Sequence, residues 1–372
     1  MPTATAPAQT ASDASDAAAQ GGGQSLTFLE GTYEWSKPMF VDTVTPGSAP
    51  IEIEHEITVG GFLRGVNFRV TSSGGVLGTA LIQPDNPFSL FRSVSLTSVD
   101  GTDILYPLGG YAQYLISRFC RPWDGDPALD PEYSASINPA FRLRFFNELR
   151  ETIGVLPNTD ARAKYKLTYY VDAASALYNL NGSSTTTPPT VTIETWPEIY
   201  AQPPAQNLQG TPIDQLPPGL AWQRFTSHQV INTTGGTNTL ELKRTGNLIR
   251  NLILVFRDGS SPGIRTDLAG DPIRWNMDTT NLVVENRSRR DYLNGQFYAG
   301  YSGVVRTRPT GVYVYPRWND PGRLNGQSWL ATASNTELVF EVSDPVAGGT
   351  CEVITEDLAP VTGSVPLELE NL

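Results

Sequence analysis

One stretch of this chain occurs twice, and that recurrence limits what the chain can fold into. Residues 100–115 read DGTDILYPLGGYAQYL and residues 278–293 read DTTNLVVENRSRRDYL. Laid together without a gap, Asp100 meets Asp278, Thr102 meets Thr280, Ile104 meets Leu282, Tyr114 meets Tyr292 and Leu115 meets Leu293. Each copy runs from an Asp-led turn through a short apolar strand and a polar break into a helical stretch carrying Tyr-Leu. The flanks recur as well. KLTYYVDA (166–173) follows the first copy as ELVFEVSD (337–344) follows the second, and TVTIETW (190–196) answers TCEVITED (350–357). Ahead of each copy stands what reads as a strand pair, IEIEHEITV with FLRGVNFRV (51–59, 62–70) and NTLELK with NLIRNLILVFRD (238–243, 247–258). Elements recurring in one order predict two tandem copies of one β-rich domain.

Composition narrows the function classes. With 29 prolines and 34 glycines in 372 residues, the chain reads as short strands joined by turns and loops. Its net charge of −12 argues against coating a phosphate backbone, which needs clustered bases. The lysines are Lys37, Lys164, Lys166 and Lys243, every other base being Arg, which suits planar contacts at protein interfaces. Cys120 and Cys351 form neither a disulfide framework nor a metal quartet, and are expected as buried thiols of a chain folded in a reducing cytoplasm. The opening MPTATAPAQTASD has neither the basic start nor the apolar core of a secretory signal. No apolar run is long enough to span a bilayer.

The pattern predicts a disordered tail over 1–25, a first jelly roll over 26–200, a Pro-rich linker over 201–220, a second jelly roll over 221–357 and a tail over 358–372. Residues 26–42 read as a lead-in strand or a short docking helix. In IEIEHEITV, Ile51, Ile53, His55, Ile57 and Val59 share one face, and Glu52, Glu54 and Glu56 the other. Asp100-Gly101 signals a hairpin, and Gly109-Gly110 opens a helix whose Tyr111, Leu115 and Phe119 fall on one face. FRLRFFNEL resumes as a strand, GVLPNTDARA reads as a turn or short helix, and Tyr165, Leu167, Tyr169 and Val171 face inward. NLILVFRD is apolar on both faces, as a central strand covered on both sides would be. Each half thus holds about eight antiparallel strands, with a helix in a long excursion after the fourth or fifth. This all-β plan of two facing sheets is the jelly roll, although the pattern also admits other Greek-key topologies.

No stretch carries a catalytic pattern. His55 sits on the apolar face of its strand, where a hydrogen-bonded core histidine is expected, and His228 stands far from it in sequence. Asp124, Asp126 and Asp130, with Glu132 following, offer oxygens to a hard cation, but prolines intrude and the glycine of a calcium loop is missing, so a solvated loop is expected. Glu52, Glu54 and Glu56 read as the polar face of a strand rather than glycosidase carboxylates. Gly21-Gly22-Gly23 lacks the strand before and the Lys after that a phosphate loop needs. The expected catalytic, cofactor and metal sites are none.

Two sandwiches on a stiff strap, with many loops suited to contacts, describe a structural or binding protein. The tandem plan, with a helix after the Asp-turn strand, and the run TRPTGVYVYPRWNDPGRLNGQSWLATASNTELVFEVSD (307–344) resemble the double jelly-roll major capsid proteins of tailless, icosahedral bacteriophages with an internal membrane, the tectivirus type. The resemblance covers roughly 50–200 and 220–357. It implies homotrimers forming pseudo-hexagonal blocks that tile a shell, made and assembled in the host cytoplasm. It also implies minor capsid, vertex and membrane proteins as partners, lipid near the chain ends and no direct nucleic-acid contact. A rival reading is a carbohydrate-active or carbohydrate-binding double β-sandwich, secreted or phage-borne, which calls for a cleft with paired carboxylates and a Trp platform. A phage spike or receptor-binding protein would call for a stalk-like trimerisation segment.

Overall fold

The computed structural model describes residues 25–36, 38–98, 100–119, 133–149, 152–179, 186–234, 236–242, 247–260, 263–267, 273–277, 282–287, 309–316, 330–332, 338–344 and 348–360. The expectations for both tails up to residue 24 and from 361, for Cys120, for the acidic loop at Asp124, Asp126, Asp130 and Glu132, and for the helix carrying Tyr292-Leu293 lie outside them.

Residues up to Tyr200 contribute α1 (Phe28–Gly31), β1 (Glu34–Ser36), β2 (Phe40–Val44), β3 (Ile51–Glu56), β4 (Gly61–Ser73), β5 (Leu81–Ile82), β6 (Phe91–Thr97) and β7 (Asp103–Leu108). Then come α2 (Gly110–Phe119), β8 (Phe141–Phe146), β9 (Leu156–Asn158), β10 (Lys166–Val171), α3 (Ala174–Leu177), β11 (Tyr178–Asn179) and β12 (Thr190–Tyr200). From Trp222 on, the strands are β13 (Trp222–Asn232), β14 (Gly236–Glu241), β15 (Leu248–Arg257), β16 (Ile273–Met277), β17 (Leu282–Arg287), β18 (Val312–Pro316), β19 (Leu330–Ala331), β20 (Leu338–Asp344) and β21 (Thr350–Pro360).

The two halves share one pairing order. In the first, β4 lies between β12 and β8 while β2 flanks β12, and a second sheet runs β3-β10-β6-β7. In the second, the orders are β13-β21-β15-β18 and β14-β20-β16-β17. Every paired strand in these four sheets is antiparallel. Short strands β1 and β9 extend one sheet and β19 another, while β5 pairs with β11. The described strands of the recurring stretches occupy equivalent places: β7 pairs with β6 across the Asp100 turn, and β17 pairs likewise with β16.

The proposed strand pairs are a correction. β3 pairs with β10 whereas β4 pairs with β12 and β8, so the two strands lie in opposite sheets. The same holds for β14 and β15, which pair with β20 and β21. Alternation reports which face is buried, not which strand is the neighbour. The chain passes from one sheet to the other at Gly60-Gly61, where Gly61 has φ +124° and a Cβ would meet the Tyr200 carbonyl oxygen at 2.1 Å. GVLPNTDARA also differs: it holds strand β9, paired to β4, and a turn.

Elsewhere local chemistry builds what it predicts. Asp100 Oδ1 accepts from the Ser98 hydroxyl and the Thr102 N–H, and Gly101 takes φ +81° at the tip. Leu115, Ile116 and Phe119 of α2 are fully buried, and Tyr114 stacks on Phe88 with centroids 4.0 Å apart. Alternate residues of β10 face inward as expected. One apolar cluster fills the first sandwich and a smaller one, around Leu252, Leu254, Phe256 and Tyr313, fills the second.

Candidate functional site: the seam between the sandwiches

Strand β15 explains how the halves join. Leu252, Leu254 and Phe256 point into the second sandwich, whereas Ile253 and Val255 belong to the apolar cluster of the first, with Val312, Val314 and Ile354. The two-sided apolar pattern of NLILVFRD is therefore a strand whose outer face is buried against the other half, in an interior position of its sheet.

Two polar clusters flank this apolar contact. In the first, Asp85, on the turn before α2's support Phe88, receives two arginines from the second half. Arg257 Nη2 donates to Asp85 Oδ2 at 2.7 Å and Arg265 Nε to Oδ1 at 2.8 Å. The Arg265 guanidinium also lies 4.6 Å from the centre of the Tyr111 ring on α2. Arg257 Nε reaches Glu352, whose other oxygen lies 3.2 Å from His228 Nε2. Burial raises the Glu352 carboxyl, but the His228 ring and the Arg257 guanidinium outweigh it and bring it down to about 2. Burial lowers the Arg257 guanidinium, and Asp85 and Glu352 outweigh that too, so it is held above its usual range. A cleft of about 220 Å³ opens beside these groups, lined also by Arg92, Gly110 and Asp172.

The second cluster is fully buried. Arg224 on β13, 0 % exposed, donates through Nε to Glu356 Oε1 at 2.6 Å and through Nη1 to the Phe146 carbonyl of the first half. Glu356 Oε2 accepts from Arg250 Nη1 at 2.9 Å and from the Asn251 amide. Charges so enclosed compensate one another, and removing either partner leaves the other without its counter-charge. Close by, the Gly219 N–H donates to Thr152 Oγ1 at 2.8 Å, and Glu148 gathers Arg64, the Tyr200 hydroxyl and the Thr152 N–H. A Cβ on Gly219 would meet Ile153 N at 2.3 Å, so the segment before β13 packs backbone to backbone on the first half.

The residues singled out in the sequence fall apart from one another. His55 Nε2 lies 2.7 Å from Asp42 Oδ2, its ring stacks on Phe40, and Tyr169 donates to the same carboxylate at 2.5 Å, clipping β2 to the opposite sheet. His228 lies in the seam. Glu54 and Glu56 pair with Lys166 and Lys164 at 2.5 and 2.8 Å on an outer face. Cys351 is buried in the second core. Among the described residues, no group of three His, Cys, Asp or Glu could hold a metal ion. Sequence reading missed Asp85, Arg224, Arg257 and Glu356, because nothing in their spacing links one half to the other; the two-sided apolar pattern of β15 was the available signal.

No protein-family model matches the chain, and no curated protein matches it in sequence. Solved structures do match. A chain in the atomic structure of Sulfolobus Turreted Icosahedral Virus is 11% identical with a TM-score of 0.60, over 91% of this chain and 95% of that one. A chain of the PBCV-1 virus capsid is 10% identical with a TM-score of 0.59, over 88% and 93%. The chain is thus similar in fold, along nearly its whole length, to double jelly-roll major capsid proteins of viruses.

Proposed function

We propose that this chain is the major capsid protein of a virus and that its copies build the shell. The observation that carries this is the likeness in fold to viral capsid chains across both halves. The four-plus-four pairing order supports reading each half as an eight-stranded jelly roll, with limits near 26–200 and 221–357 around the Pro-rich strap. On this reading the protein is not an enzyme, and its principal partner is itself. Homotrimers form pseudo-hexagonal blocks in an icosahedral bacteriophage shell over an internal membrane, joined by minor capsid, vertex and membrane proteins. A net charge of −12, and a first 25 residues without Lys or Arg, suit a shell that lipid separates from its genome. Immunogold labelling of source particles with an antibody to this chain tests the assignment. Gold spread over the faces of icosahedral particles is expected; particles labelled at single points, or unlabelled, would contradict it.

A further inference from the structure

The first and last described residues, Ser25 and Pro360, lie at the two ends of the strap. The Leu26 N–H donates to the Pro212 carbonyl, the Asp214 N–H donates to the Leu26 carbonyl, and the Ser25 hydroxyl donates to Asp214 Oδ1 at 2.8 Å. A Cβ on Gly31 would meet the Ile213 side chain at 2.2 Å, so α1 sits directly on the strap. Phe28 of α1 is buried with Phe62, Val155 and Tyr200, and Leu220 packs on the same group. Two residues further on, Trp222 pairs with Pro360. Residues 361–372 therefore start beside the junction of α1 and the strap.

That junction leaves large apolar side chains in solvent. Leu29 and Tyr33 are 43 % and 68 % exposed, Leu216 is 64 % exposed, and Leu208, in the turn closed between Asn207 and Thr211, is 100 % exposed. Hydrogen bonds hold their backbones in one place: the Ala201 N–H donates to the Tyr33 carbonyl, and the Gln202 amide donates to the Gln215 carbonyl beside Leu216. Single surface hydrophobics are ordinary, but four on one junction call for a cover. In residues 361–372, VTGSVPLELENL, Val365, Leu367 and Leu369 alternate with Pro366, Glu368 and Glu370, the pattern of a segment with one apolar side. The first 24 residues hold no Val, Ile, Leu or aromatic residue and offer no such side.

We infer that the junction of α1 and the strap is the docking surface for the chain's own residues 361–372, whose alternating apolar side chains cover Leu29, Tyr33, Leu208 and Leu216. The segment continues β21 of the second half, whereas α1 belongs to the first, so the contact adds a clasp between the halves. Twelve residues reach at most about 40 Å, and attachment at Pro360 keeps them concentrated over the junction. The contact lies within one chain and does not depend on the shell-forming reading.

Hydrogen exchange read by mass spectrometry on the full-length protein tests this. It compares wild type, Leu208→Asp with Leu216→Asp, and Val76→Asp as a charge placed on an exposed apolar residue elsewhere. Melting temperature reports folding; if the double variant melts early, Leu208→Asp alone replaces it. The amides of 361–372 are expected to exchange about tenfold more slowly in wild type and Val76→Asp than in a free peptide of that sequence, and at the peptide rate in the junction variant. Exchange at the peptide rate in wild type overturns the inference, as does slow exchange that the junction substitutions leave unchanged. Oxidising Leu208→Cys with Leu369→Cys and running a denaturing gel tells whose segment is bound. A linked single chain is expected; a linked pair of chains would assign the junction to a second copy and overturn the inference. Each of these failures leaves the capsid reading standing.

Discussion

Glu356 holds two guanidiniums and an amide in a place that excludes water, and the energetics of the seam concentrate on it. Replacing it with Gln keeps the shape but leaves Arg224, itself 0 % exposed, without its counter-charge. Breaking such a pair costs about 3–5 kcal/mol, read as a lower denaturation midpoint for Glu356→Gln. Glu352 sets an acid limit. Its carboxyl stands near 2 in the folded chain, against an ordinary 4.5, so it holds fewer protons folded than unfolded across that interval. Its stabilisation is fully present above about pH 4.5 and is lost as pH falls towards about 2. The stability profile of Glu352→Gln is therefore expected to be flatter than wild type between those values; parallel profiles would remove Glu352 from the acid response.

At the scale of elements, α2 and its hairpin are the part most open to reading from sequence. Asp100-Gly101 predicts the turn, and four-residue spacing predicts the buried face of the helix. The reason for Gly110 emerges only in three dimensions: a Cβ there would meet the Phe88 carbonyl oxygen at 2.2 Å. Leu115, fully buried, is expected to cost about 2–5 kcal/mol when cut to Ala, through lost contacts and the cavity left behind. A thermal melt that does not move would separate the helix from the core. Strand identity was legible in β3, β10 and β12, and the inward faces in β3 and β10, because burial imposes a period of two. Strand neighbours were not, because β3 and β4 are adjacent in sequence yet lie in opposite sheets. The seam was hidden for a related reason. Asp85 and Arg257 come from different halves, so no local pattern announces their meeting, and only β15, apolar on both faces, carried a trace of it.

The whole molecule behaves as two sandwiches sharing one buried contact. Ile253, Val255, Val312, Val314 and Ile354 complete the apolar cluster of the first half, and two arginine–carboxylate clusters fix their register. Stability is then expected to be cooperative across the halves, giving one calorimetric transition in wild type. Asp85→Ala removes the carboxylate that Arg257 and Arg265 share and is expected to broaden or split that transition. Two separate transitions in wild type would mean that the halves unfold independently. Under the proposed capsid role, the joined pair is the unit of the shell. The most direct test of that claim is the mass of the full-length wild-type protein in solution, measured by sedimentation equilibrium. A species of about three times the 40.4 kDa chain, or larger closed assemblies, is expected. A single 40.4 kDa species that shows no association with rising concentration would contradict it.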